Sequence, residues 1–156
     1  MRSLTSLLAL LAALSVAVSC TRQAAQPYQR TGMVVCEAFT DEVITVSSTI
    51  SAADASTAIY RAERQAFENL LFKGIPECSQ KRPLVADERA ALDAHGAYFT
   101  ELLDGDGLRR FVTRSASTDS QALRGGGNRI VQTIEIDLNG LRRDLERAGV
   151  VRKFGL

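Results

Sequence analysis

The chain has 156 residues, of which 46% are hydrophobic, and its 19 basic and 18 acidic side chains nearly balance. A chain of this size forms one ordinary domain around a single core. No segment interleaves aromatic with basic residues, so we do not expect a nucleic-acid partner.

The N-terminus has the organisation of a secretory signal. Arg2 precedes an apolar run, residues 4–18, which is too short to span a bilayer, and small residues lead to Cys20. A cysteine at this place resembles a bacterial lipobox, in which signal peptidase II cuts before a lipid-modified cysteine, although Ala17 stands where Leu is commonest. We therefore predict that residues 1–19 are a lipoprotein signal peptide and that Cys20 is acylated. Ordinary secretion with an incidental cysteine is the alternative.

The segment after Cys20 is polar, with one proline and no periodicity, so residues 20–31 are predicted to be a tether. Residues 32–156 are then a single domain. Two cysteines remain, Cys36 and Cys78, in a compartment where disulfides persist. They form either a disulfide or, in the alternative, a buried apolar residue and a loop thiol.

The first half of the domain predicts two strands and two helices. Residues 33–39 and 43–50 have the β-branched composition of a hairpin, and the second segment alternates with a period of two. A helix follows, with Ser51 and Asp54 approximating a capping box and Gly74 as its left-handed stop. A second helix is expected over 87–103, with Asp87 as its N-cap.

The second half predicts a turn, two more strands and a last helix. The turn covers 104–107, the strands cover 109–116 and 129–137, and the stretch 117–127 is expected to be a long exposed loop. The last helix begins after Asp137 and ends at Gly149, before a short edge strand at Val150 and Val151. The order β-β-α-α-β-β-α predicts an α+β fold with an antiparallel sheet of about four strands and helices on one face.

Residues with catalytic or metal-binding chemistry are scarce. His95, the one histidine, has no second metal ligand at helical spacing. The run 104–107 lacks two of the ligands of a calcium loop, and Gly125-Gly126-Gly127 precedes a strand where a phosphate loop needs a helix. Ser115, Ser117 and Ser120 have no histidine–acid partner set, and the spacing singles out no pair of carboxylates. We therefore predict no catalytic residues, metal or cofactor, and no enzyme.

Several segments resemble known envelope proteins. The strand pair running into DASTAIYRAERQAFENLLFKGI is similar to lipoproteins of the LPP20 type and to the N-terminal domain of the flagellar protein FlgT. The segments LLFKGIP, GLRRFV and LRRDLERAGVVRKFGL resemble lipoproteins of the Bacteroidota. The resemblance implies an α+β domain tied to the outer membrane. It brings no catalytic residues with it.

These observations predict a lipid-anchored envelope protein on the periplasmic side of the outer membrane, acting as a non-enzymatic binding or assembly module with an envelope protein partner. The sequence TRQAAQ after Cys20 contains no acidic residue, which favours the periplasmic leaflet. The alternative is a periplasmic hydrolase acting on glycan or peptide through a carboxylate pair. The expected contact surfaces are the stretch 117–127 and the basic residues of the last helix and tail, Arg142, Arg143, Arg147, Arg152 and Lys153. A solvated helix face is the plainer interpretation of those arginines.

Overall fold

The computed structural model describes residues 32–152, in which helices cover one face of an antiparallel sheet. Residues 1–31 and 153–156 lie outside the described residues, and with them the predicted signal peptide, Cys20, the tether and Lys153. Within the described range, no helix is both long enough and apolar enough to cross a membrane.

The elements follow the predicted order. They are β1 (Met33–Phe39), β2 (Val43–Ala52), α1 (Ala55–Phe72), α2 (Glu88–Asp104), a 3₁₀ helix (Asp106–Arg110), β3 (Val112–Ala122), β4 (Asn128–Asp137) and α3 (Leu138–Arg147). The strands lie in the order β1-β2-β4-β3, and each neighbouring pair is antiparallel. The predicted α+β fold class is confirmed.

Strands β2 and β4 form the middle of the sheet because each alternates between an apolar and a polar face. Ile44 and Val46 of β2 lie opposite Ile136 and Ile134 of β4, and all four side chains are fully buried. The residues between them, such as Thr45, are half-buried on the opposite face. Alternation of this kind places one face of both strands in the core.

Helix α1 covers the apolar face with small residues first and large ones later. Ala58, Ala62 and Ala66 are fully buried, and so are Phe67 and Leu70 towards its C-terminus. The short side chains let the helix backbone lie close to the strands, while the longer ones fill a wider space.

Helix α1 begins one turn later than the predicted capping box. Ser51 lies in β2, because the pairing of β2 with β4 continues as far as Ala52. The N-cap is Asp54, whose Oδ1 accepts a hydrogen bond from the backbone N–H of Thr57 at 2.8 Å. Hydrogen bonds from the Ser56 hydroxyl and from Thr57 lower the pKa of Asp54 to about 2.

The end of α1 is a tight turn at Gly74, as predicted. Its φ is +78°, and a Cβ atom here would lie 2.4 Å from the carbonyl oxygen of Lys81. Both observations favour glycine. The chain then folds back along the helix, and the backbone N–H of Val85 donates to the carbonyl oxygen of Leu71 at 2.9 Å.

Helix α2 begins at the predicted cap and is bent in its middle. Asp87 accepts a hydrogen bond at 3.0 Å from the backbone N–H three residues on. His95 has non-helical angles, φ −130° and ψ 29°, and stands next to Gly96. Beyond the bend, the Phe99 ring packs against Phe72 of α1 at a centroid distance of 5.4 Å.

The chain after α2 differs from the expected strand at 109–116. Residues 106–110 form the 3₁₀ helix, and the three-residue separation of Leu108 and Phe111 buries both side chains in the core. The predicted turn at 104–107 is therefore reduced to Gly105, because Asp104 ends α2 and Asp106 begins the 3₁₀ helix. Strand β3 then begins at Val112.

Strand β3 is longer than predicted, and the loop 117–127 is correspondingly shorter. Residues 117–122 are strand, paired with β4 as far as Ala122↔Asn128. Serine, alanine and aspartate prefer strands weakly, but pairing with a firm neighbouring strand overrides that preference. The remaining hairpin loop closes through Gly126 and Gly127, both with φ +91°.

Helix α3 is confirmed at both ends, whereas the edge strand after it is not. Asp137 caps the N-terminus by accepting a hydrogen bond from the Gly140 N–H at 2.7 Å, and Gly149 ends the helix with φ +73°. Val150 donates its backbone N–H to Leu145 at 2.9 Å. This bond belongs to the turn that ends the helix, and residues 150–151 are a bend and not a strand.

A disulfide joins Cys36 of β1 to Cys78 in the segment between α1 and α2, with a Cα–Cα distance of 5.5 Å. Of the two alternatives that the sequence left open, the structure contains this one. The bond crosses 42 residues of chain and ties the long α1–α2 connection to the edge of the sheet.

We predict that the paired substitution Cys36→Ser/Cys78→Ser lowers the free energy of unfolding by about 3–4 kcal/mol, because the loop closed by the bond is long. Urea unfolding with and without a thiol reductant measures this. The reductant should destabilise the wild type by a similar amount and leave the variant unchanged. An equal effect of reductant on both proteins would contradict the prediction.

Candidate binding groove

An apolar groove opens where three parts of the chain meet beside α2. Its walls are the end of the α1–α2 connection, the first half of α2, and the residues after α3, and it encloses about 750 Å³. Its lining comprises Leu84, Val85, Ala86, Asp87, Ala90, Ala91, Ala94, His95, Val150, Val151 and Arg152. A concave, mainly apolar surface with a few polar groups is the usual form of a binding site.

Local structure explains why the groove stays open. Three of the α2 residues that line it, Ala90, Ala91 and Ala94, have side chains too short to fill the space. Val85 is held by its hydrogen bond to the end of α1, and Val150 by its bond to Leu145. Backbone hydrogen bonds therefore hold the walls in place. The space between them stays unfilled because the alanine side chains of α2 are short.

Charged and polar groups also line the groove. They are Asp87, which caps α2, His95 at the bend of that helix, and Arg152. The lining is therefore complementary to an extended or helical segment of a partner that is apolar in its middle and polar at its ends.

A second, smaller cleft of about 390 Å³ lies between α1, the 3₁₀ helix and the start of β3. Two carboxylates line it, Glu63 and Asp106. Glu63 accepts a hydrogen bond from the Ser115 hydroxyl at 2.5 Å, and Asp106 lies 3.4 Å from the Arg109 guanidinium. Each carboxylate in this cleft is thus matched by a partner of its own, which does not favour a catalytic pair.

The Ser115–Glu63 bond belongs to a polar network around Gln132, near the middle of β4. The amide nitrogen of Gln132 donates to the Ser115 hydroxyl, and the Ser117 hydroxyl donates to the Gln132 amide oxygen, each at 2.7 Å. Ser115 and Ser117 therefore hold a glutamine that is 97% buried. Their role in the described contacts is structural.

The acidic run 104–107, which lacks two ligands of a calcium loop, also has structural contacts. Within residues 32–152, no group of three or more His, Cys, Asp and Glu side chains could hold a metal ion. Asp104, the first residue of this run, forms an ion pair with Arg64 of α1. Arg64 also pairs with Glu68 at 3.1 Å, so the three residues join α1 to the end of α2.

The predicted basic contact residues do not share one environment. Arg142 donates to the Gln80 side-chain oxygen at 2.6 Å, and Arg147 pairs with Asp144 at 3.2 Å. Arg143 is exposed on α3, and Arg152 lines the groove. Their role in binding a partner stays a prediction.

A scan against protein-family models finds no matching family, and searches of curated proteins and of solved structures find no significant match. The resemblance to envelope lipoproteins therefore remains a prediction from the sequence. The groove was not predicted at all. The sequence features that correspond to it are the closely spaced alanines at 90, 91 and 94 and the valines after Gly149. Such short apolar residues also occur in ordinary helix packing, so they do not specify a groove.

Tyr98 of α2 forms a polar contact that links three elements. Its hydroxyl donates to Asp144 of α3 at 2.9 Å, and the Arg110 guanidinium of the 3₁₀ helix lies 3.8 Å from the same carboxylate oxygen. Burial, reinforced by the hydrogen bond to Asp144, raises the pKa of Tyr98 well above its usual range. Tyr98 therefore keeps its proton in the folded protein at pH values where a free tyrosine has lost it.

We predict that the stability of the protein falls as the pH rises above about 10, partly because Tyr98 ionises only in the unfolded state there. The contribution is fully present below that pH, since both states then hold the proton. In urea unfolding at a series of pH values, Tyr98→Phe should show a shallower decline than the wild type. Parallel curves for the two proteins would show that Tyr98 is not the group responsible.

Proposed function

We propose that this protein is a lipid-anchored envelope protein that faces the periplasm and acts as a non-enzymatic binding or assembly module. The observation that carries the proposal is Cys20, which directly follows a signal-type segment that ends in small residues. The disulfide between Cys36 and Cys78 supports export, because such bonds persist in oxidising compartments and are rare in the cytosol.

The apolar groove supports the binding part of the proposal. Its alanine-lined wall and the two valines opposite offer room for an apolar segment of a partner, and Asp87 and Arg152 offer charges of both signs in its lining. Apolar surface that is recessed between fixed walls is available to a partner without rearrangement of the domain. We propose that the partner is an envelope protein that inserts such a segment here.

We predict that Cys20→Ser releases the protein from the membrane into the soluble periplasmic fraction. Two or more acyl chains hold a protein on a membrane stably, and without them the polar domain has no comparable attachment. Fractionation followed by immunoblotting measures the change. Thr21→Ser is the matched control, because it alters the neighbouring residue and leaves the cysteine in place. Membrane retention of Cys20→Ser equal to that of the control would refute lipidation as the attachment.

We predict that Ala94→Trp reduces recovery of a stoichiometric envelope partner in a native-detergent pull-down by about tenfold, because the indole would occupy the groove. Ala97→Trp is the control, since Ala97 is also exposed on α2 but does not line the groove. Equal recovery with both variants would exclude the groove as the binding site. A clean monomer from the wild type would count against the assembly function itself.

A further inference from the structure

Strand β3 leaves one edge of the sheet unpaired within the described residues. It hydrogen-bonds to β4 on one side, and it is the last strand in the order β1-β2-β4-β3. Every residue from 113 to 122 is exposed, on both faces of the strand. A strand edge of this length offers its free backbone groups to another strand.

The side chains of β3 have an internal symmetry that the pairing with β4 reveals. Ala116 lies opposite Thr133, Arg114 lies opposite Glu135, and Asp119 lies opposite Val131. Arg114 and Asp119 are therefore each two ladder positions from Ala116, on opposite sides of it.

A bulge creates this symmetry. In the pairing of β3 with β4, Ser117 and Asp119 follow each other, and Thr118 has no partner of its own. In a regular strand, residues 114 and 119 would point to opposite faces, because side chains alternate. The extra residue at 118 turns Asp119 onto the face that carries Arg114 and Ala116.

We infer that β3 pairs with β3 of a second copy of this chain, antiparallel and about a two-fold axis at Ala116. The axis places Ala116 opposite Ala116 of the second copy, and Arg114 opposite Asp119 of the second copy. The same contact occurs twice, so opposite charges meet at both ends of the pair. On the other face, Ser115 meets Ser117 of the second copy. The two sheets then continue as one sheet of eight strands.

Bulges and charges are also the devices by which natural edge strands avoid pairing. The charges at this edge do not act as a barrier to a second copy. The positive Arg114 and the negative Asp119 are equally far from the proposed two-fold axis. An edge that carried one sign of charge would repel its own copy, whereas this edge is complementary to it. The inference concerns the folded domain alone and does not depend on the lipid anchor.

The test uses a cysteine at the proposed axis. In an antiparallel pair, directly opposite Cα atoms are about 4.5 or 5.5 Å apart, which is within the range of a disulfide. We therefore expect the full-length chain carrying Ala116→Cys to form a covalent dimer under mild oxidation, visible on a non-reducing gel. Gln121→Cys is the matched control on the same exposed strand. Its two copies would lie about 25 Å apart in the proposed pair and should not cross-link.

Charge substitutions in the Ala116→Cys background test the register. Asp119→Asn removes the attraction and should lower the cross-linked fraction about threefold, and Asp119→Arg adds repulsion and should lower it about tenfold. Arg114→Asp combined with Asp119→Arg restores opposite charges and should restore the dimer. Asp119 is exposed, so its single variants test the inference even if the double variant is less stable.

Three results would overturn the inference. Cross-linking of Ala116→Cys no stronger than that of Gln121→Cys would show that the edge does not pair at this axis. A cross-linked fraction that Asp119→Arg leaves unchanged would exclude the charge register. A covalent product with a different polypeptide in place of a dimer would assign the edge to another partner.

Discussion

The structure depends on the burial of one face of β2 and β4 beneath α1. The isoleucines and valine of the two central strands meet the alanines of the helix. Burial of apolar surface is the dominant favourable contribution to folding in proteins generally. A polar row crosses the face, where Ser48 of β2 lies opposite Gln132 of β4. On either side of that row lie two separate apolar clusters, a large one towards α2 and α3 and a small one around Ile50 and Ile130.

The candidate groove is a consequence of how the long α1–α2 connection is held. Gly74 reverses the chain, the backbone bond of Val85 to Leu71 fixes it along α1, and the disulfide at Cys78 ties it to β1. These three constraints act on a segment without regular secondary structure. They hold it opposite the alanines of α2, and the apolar groove lies between the two.

The edge strand β3 contributes little to the core. Helix α1 contacts β2 and β4 far more than β3, and the helix-side residues of β3 are accordingly small and polar. The strand is held mainly by its ladder with β4 and by the Ser115–Gln132–Ser117 hydrogen bonds. A strand that adds little to the core is available to add to a second sheet, which is how the proposed assembly would use it.

The sequence by itself determined the fold class, the helix limits at Asp87, Asp137, Gly74 and Gly149, and the two central strands. Caps, glycine stops and period-two alternation act over a few residues, so they can be recognised locally. Only the tertiary structure decided the length of β3, the 3₁₀ helix before it, the groove and the bulge at Thr118. Each of these depends on a partner distant in the sequence, such as β4 for β3 or the residues after α3 for the groove, and no local pattern specifies such a partner.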